Sequence, residues 1–133
     1  MSQKKKIIRY VSKCRSLVET NALSQQIGLW ALKNKYILGV ITNGNADIKT
    51  LKIDHLFDFY VNAEMVNESK PGKKIFDEAA KLAGVAPEEI CHIGDHPVND
   101  IEGALNVGFK AIWLNALENS WPDGQECHVP EVR

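Results

Sequence analysis

The sequence predicts an α/β fold, a parallel sheet with helices on both faces. Three observations carry this. Apolar runs of strand length stand at residues 36–41, 90–93 and 109–114. Helix patterns alternate with them, and such alternation is the signature of parallel strands joined by crossovers. The 133 residues are 44% hydrophobic and 25% charged, enough for one domain with its own core.

In chain order, Ile7, Val11, Cys14 and Val18 recur at helical spacing and predict an amphipathic helix over residues 5–19. Asn21 or Ser24 is placed to cap a second helix with Leu23, Ile27 and Trp30 on its apolar face. Residues 1–35 thus form a helical segment, and residues 36–133 an α/β core. The run 36–41 is apolar without alternation, as in a strand buried on both faces, and Thr42-Asn43-Gly44 ends it in a turn. A short helix is expected over 46–51 and a short strand over 57–61. Pro71 suits the first turn of a helix whose stripe is Ile75, Phe76, Ala79, Ala80 and Leu82, with Gly84 at its C′ position. The strand 90–93 stops at Gly94, a helix follows over 99–106, and Gly108 closes it before the strand 109–114. Residues 115–133 read as loop with one short edge strand.

Charge and composition exclude several classes. The 16 basic and 17 acidic side chains leave a net charge of −1, which argues against a nucleic-acid binder. The cluster Lys4, Lys5, Lys6, Arg9, Lys13 and Arg15 reads as a solvated face, and no apolar run approaches a membrane span or a secretory core. Cys14, Cys91 and Cys127 are odd in number and lack C-x-x-C spacing, so a reducing, cytoplasmic location is expected.

In parallel α/β sheets chemistry gathers at the carboxyl ends of strands. Thr42-Asn43-Gly44 is either a phosphate-holding hydroxyl with turn N–H groups or an Asn-Gly turn closing a core strand. Lys70, before Pro71 at a helix start, adds positive charge where an anion is favoured. Asp95 and Asp100 straddle the loop after the second strand, and carboxylates of this kind suit Mg²⁺ shared with a substrate phosphate. In this order a hydroxyl, a cation and an acid pair converge on one phosphate–Mg²⁺ site. His92 reads as a core histidine and His96 as a loop residue near the pocket; no zinc spacing occurs.

From about residue 36 to 113 the chain resembles the haloacid dehalogenase-like (HAD) superfamily, in particular its phosphatases with a helical cap. Thr42-Asn43-Gly44 matches the second motif, Lys70-Pro71 the third, and residues 94–100 the fourth, the most specific. The resemblance implies a Rossmann-like three-layer α/β/α sheet, Mg²⁺, and hydrolysis of a phosphomonoester on a small phosphorylated metabolite through an aspartyl-phosphate. Thr42, with Asn43 and Gly44, is expected to bind phosphate. Lys70 neutralises it and holds the nucleophile, Asp95 binds Mg²⁺, and Asp100 supports the ion or binds it through water.

One departure outweighs these matches. The family's first motif, a strand ending in Asp-x-Asp, has no counterpart, because no two aspartates here are separated by one residue and none precedes Asp47. The fold is therefore expected to be incomplete, the C-terminal portion of such an enzyme without its central strand, with residues 1–35 a possible remnant of the cap. Two readings follow. One is a truncated or split phosphatase, inactive alone, that a separate N-terminal segment completes. The other is a non-catalytic phosphate-binding or protein-interaction module on the same fold. A phospho-acceptor domain fits less well, since its acid pair precedes the lysine.

Overall fold

Apolar runs that bury both faces need neighbours on both edges, and the sheet supplies them. The computed structural model describes residues 5–6, 8–9, 36–44, 54–115 and 118–132. The strands are β1 (Lys5–Lys6 and Ile8–Arg9), β2 (Tyr36–Ile37 and Gly39–Thr42), β3 (Phe59–Asn62), β4 (Cys91–Gly94), β5 (Lys110–Leu114) and β6 (Glu131–Val132). All pairings are parallel. Tyr36 pairs with Lys5, Ile8 with His92, Gly39 with Phe59, Cys91 with Lys110, and Trp113 with Glu131. Reading across gives β3–β2–β1–β4–β5–β6, the order of a doubly wound Rossmann-like sheet, whose direction of winding reverses between β1 and β4.

This corrects the N-terminal expectation. The helix predicted from residue 5 is, in its described part, a strand: Lys5–Lys6 pairs with β2 and Ile8–Arg9 with β4. The helical spacing of the apolar residues lost to two strand edges, whose backbone groups this segment pairs, one edge with Lys5–Lys6 and the other with Ile8–Arg9. The slot expected to lack a strand is filled, by a segment with no carboxylate. The remainder of the helix 5–19, the second helix and the helix 46–51 lie outside the described residues.

Elsewhere the expected elements hold, with displaced edges. Leu38, Val40 and Ile41 are fully buried, as a two-sided strand requires. Gly39 is glycine because the Phe59 ring lies over it; a Cβ there falls within 2.5 Å of three ring carbons. The strand expected over 57–61 starts later, because Asp58 is bound to Leu38 instead: Leu38 N–H donates to its carboxylate at 2.9 Å and Asp58 N–H donates to Leu38 O at 2.7 Å. The short helix α1 (Ala63–Val66) follows β3, capped by Asn62. Helix α2 (Lys73–Ala83) ends at Gly84 in the left-handed conformation, φ 70°, where a side chain is strained. Its face Ile75, Phe76 and Ala79 is fully buried, whereas Leu82, expected on the stripe, is exposed. The expected helix 99–106 forms as a π-helical turn, Pro97–Glu102, running into α3 (Gly103–Asn106). The foreseen edge strand of the tail is β6.

Helix α2 packs on β2 and β3, α3 on β5, and the two helices touch. Phe76 sits at their meeting point, edge-on to His92 at 5.4 Å and to Phe109 at 5.7 Å. Gly103 lets the ring approach, since a Cβ there meets Phe76 at 2.7 Å. Truncating this ring removes packing from α2, β4 and α3 together. Phe76→Ala is expected to destabilise the chain by about 3–5 kcal/mol, read from urea unfolding.

Candidate active site

Three loops, at the carboxyl ends of β2 and β4 and before α2, place their polar groups together. Thr42 ends β2, buried, and its hydroxyl accepts the Gly44 N–H at 3.0 Å. Asn43 turns its side-chain amide toward the loop before α2. It accepts the Lys70 N–H at 2.6 Å and donates to Lys70 O at 3.1 Å. The Lys70–Pro71 peptide is cis. This clamp aims the Lys70 side chain inward, where Nζ donates to Ile41 O at 3.2 Å and to Asp100 Oδ1 at 2.5 Å.

Asp100 is 1% exposed and every oxygen is engaged. Oδ1 receives Lys70 Nζ and lies 3.2 Å from His92 Nε2; Oδ2 receives the His96 N–H at 3.0 Å. A carboxylate only accepts, so the ring carries its proton on Nε2. Gly94 makes the arrangement possible, because a Cβ there lies 2.4 Å from Asp100 Cβ and Cγ. His96 Nδ1 caps the π-helical turn by accepting the N–H groups of Val98 and Asn99, at 3.2 and 3.0 Å. Asp95 stands exposed, and its backbone oxygen accepts the Trp113 indole N–H at 2.9 Å.

Burial dominates the electrostatics of Lys70 and His92. It pushes the Lys70 ammonium down to about 8, against the opposing pull of the Asp100 charge and hydrogen bond. Burial also lowers His92, against the same carboxylate, so the ring is neutral near pH 7. For Asp100, burial pushes upward, but the His92 hydrogen bond and the Lys70 charge outweigh it and hold the carboxyl at about 2. The two partners shift in ways that differ in what they say about the pair, one weakened as a cation and one strengthened as an anion. Both values leave Lys70 and Asp100 ionised near neutrality, the state the short contact requires.

The structure therefore brings Thr42, Lys70, Asp95 and Asp100 to one edge. The side-chain amide of Asn43 is engaged by the Lys70 backbone, because it matches both a backbone N–H and a C=O. Gly44 N–H is turned to Thr42. The role of His92 as a third contact of Asp100 was missed; a histidine in an apolar strand gives no sign of what lies above it. Among the described residues no group of three or more His, Cys, Asp or Glu side chains is placed to hold a metal. No described helix is long and apolar enough to cross a membrane.

A doubly wound sheet whose strand-end loops gather Thr, Lys and two Asp defines a Rossmann-like α/β architecture with a charged site at its carboxyl edge, and comparison with known proteins specifies the family. The profile of the haloacid dehalogenase-like hydrolases matches residues 4–114, and the chain belongs to that family. It is similar to glyceraldehyde 3-phosphate phosphatase of Pyrococcus furiosus, 38% identical over 87 residues, 62% of this chain and 36% of that one. Among solved structures it is similar to a 2-haloacid dehalogenase from Pseudomonas syringae, 38% identical, TM-score 0.74, over 80% of this chain and 46% of that one. The putative HAD-hydrolase YfnB of Bacillus subtilis, described as bound to magnesium, shares the fold at 15% identity, TM-score 0.71, over 99% of this chain and 95% of that one. The chain spans 35% to 42% of the length of the first curated relatives it matches.

Two outcomes test the site. Lys70→Met leaves a buried carboxylate without its cation and is expected to destabilise by about 3–5 kcal/mol in urea unfolding. The Asp100 carboxyl is lower in the folded state, about 2, than its ordinary 3.8. Its stabilisation is thus complete above about pH 4 and is lost as pH falls through about 2. Thermal melts across this range are expected to show a steep acid limb, roughly 2 kcal/mol of it flattened in Asp100→Asn after allowing for that variant's lower baseline.

Proposed function

We propose that this chain carries the phosphate-binding and Mg²⁺-binding half of a HAD-type phosphomonoesterase site, and that it is inactive alone for want of a nucleophile. One observation carries the reading: the buried Lys70–Asp100 pair lies between Thr42 and Asp95 at the ends of strands that flank β1. Ligands of doubly wound sheets bind at that reversal point. The curated phosphatase relatives support the reaction class.

The residues fit Mg²⁺ as a partial donor set. Asp95 offers an exposed carboxylate at a strand end, and Mg²⁺ takes one or two carboxylates beside water and phosphate oxygens. Asp100, with both oxygens engaged, supports the site through Lys70 and the His96 N–H instead of supplying a free donor. Charge balance points the same way. Lys70 and Asp100 cancel, Asp95 leaves the edge negative, and a phosphate dianion is repelled unless a cation joins it. Bound there, Mg²⁺ supplies charge neutralisation of the transferring phosphoryl group. Thr42 donates its hydroxyl to a phosphate oxygen. Lys70 contributes its positive charge to the same edge. The substrate class is a small phosphorylated metabolite.

Covalent phosphoryl transfer begins with a nucleophile, and in this reading its position is the carboxyl end of β1. The described part of β1 offers Lys5, Lys6, Ile8 and Arg9. An N-terminal segment bearing Asp-x-Asp is therefore the partner the site needs, and it must replace β1 because the slot is filled.

Purified alone, the chain is expected to show no Mg²⁺-dependent turnover of p-nitrophenyl phosphate. A fusion in which the Asp-x-Asp strand of a full-length relative replaces the first strand is expected to gain that activity and to lose it again in Lys70→Ala. A fusion that folds yet stays inactive, while the parent binds inorganic phosphate, favours the non-catalytic binding module.

A further inference from the structure

The C-terminal segment takes no part in the chemistry above, yet the fold ties it to Asp95. Trp113 lies in β5 opposite Gly94 and is 2% exposed. A buried indole needs an acceptor for its one N–H. Here the acceptor is the backbone oxygen of Asp95, the residue whose side chain stands exposed at the strand end. Two contacts hold the tryptophan in turn. Trp121 packs edge-on against it, centroids 4.9 Å apart at 85°, and Trp113 N–H donates to Pro130 O at 2.8 Å. His128 packs on Trp121 at 5.3 Å. Asn115, buried at the end of β5, closes the segment: it accepts Asn119 N–H at 2.9 Å and donates to Asn119 O at 2.8 Å and to Glu131 Oε1 at 2.7 Å. Residues 119–132 are thus a strap over β5, and one indole hydrogen bond passes its constraint to the Asp95 loop.

We infer that Trp113 is a positioning residue for Asp95, fixing the backbone so that the carboxylate meets a divalent cation from a set direction. The inference rests on Asp95 being the cation ligand of the proposed function. The physical ground is general: groups that orient a metal ligand change affinity strongly without touching the ion. A side chain held by a pinned backbone loses little freedom on binding, whereas a loose loop must be ordered at that moment.

The test is a Mg²⁺ titration of the full chain, followed through the amide resonances of residues 94–96, in the parent, in Trp113→Phe and in Trp121→Phe. Trp113→Phe keeps a ring and deletes the N–H. Its dissociation constant is expected to rise roughly tenfold or more, with faster hydrogen exchange at the His96 amide and a lower melting temperature from the space the smaller ring leaves. Trp121→Phe keeps the N–H and thins its packing, so a smaller weakening is expected; it decides the matter if Trp113→Phe does not fold. Equal Mg²⁺ affinity in parent and variants overturns the role of Trp113. A parent whose amides ignore millimolar Mg²⁺ overturns the metal reading of Asp95 itself, a failure the variants do not produce.

Discussion

The contact between Lys70 and Asp100 is the constraint around which the carboxyl edge of the sheet is arranged. Two buried charges 30 residues apart in sequence must meet, because either one alone in the interior is costly. Their meeting dictates the loops on both sides. The lysine reaches inward only because Asn43 holds its backbone at both ends. The aspartate reaches inward only because Gly94 has no side chain and because the helix begins as a wider π-turn that swings position 100 toward the sheet. A regular helix start at Asn99 was the simpler expectation from periodicity; the ion pair is the tertiary demand that overrode it.

His92 extends this constraint into the core. Its ring touches Asp100 on one side and the Phe76 ring on the other, so the polar edge and the apolar cluster share a residue. The neutral, buried ring gives Asp100 a second donor without adding charge, which leaves Lys70 as the cation that balances it. The result is a pair of opposite charges, satisfied and preorganised in a region of low dielectric, beside an exposed carboxylate. Such a site interacts with a charged ligand without first rearranging its own dipoles.

Much of this was legible in the residues, for reasons that differ by element. The strands 36–41, 90–93 and 109–114 showed because burial on both faces demands unbroken apolar runs, which few other elements produce at that length. Helix α2 showed because Pro71 and Gly84 mark its ends by backbone sterics, independent of context. Thr42 and Asp95 stood out because they follow apolar runs, Lys70 because it precedes a helix-starting proline, and Asp100 because it shares a loop and helix start with Asp95. The rest depended on partners far away in sequence. Nothing about Asn43 reveals that its amide bonds the Lys70 backbone. Nothing about His92 reveals Asp100 above it, and nothing about Trp113 reveals Asp95 as its acceptor.

The N-terminal strand shows how far fold and chemistry separate. A central slot in a parallel sheet requires backbone donors and acceptors on two edges and side chains tolerable to the layers above and below. The segment from Lys5 to Arg9 meets the first requirement although its apolar spacing favours a helix, since the pairing of Lys5 with Tyr36 on one side and of Ile8 with His92 on the other uses backbone groups that every residue but proline carries. The proposed function asks for something the backbone cannot supply, a carboxylate at the end of that strand. The sheet therefore forms its reversal point, with Thr42 on one flank and Asp95 on the other, whether or not the strand between them brings a nucleophile. The groups at that edge are held in place for a reason of their own, the burial of Lys70 against Asp100.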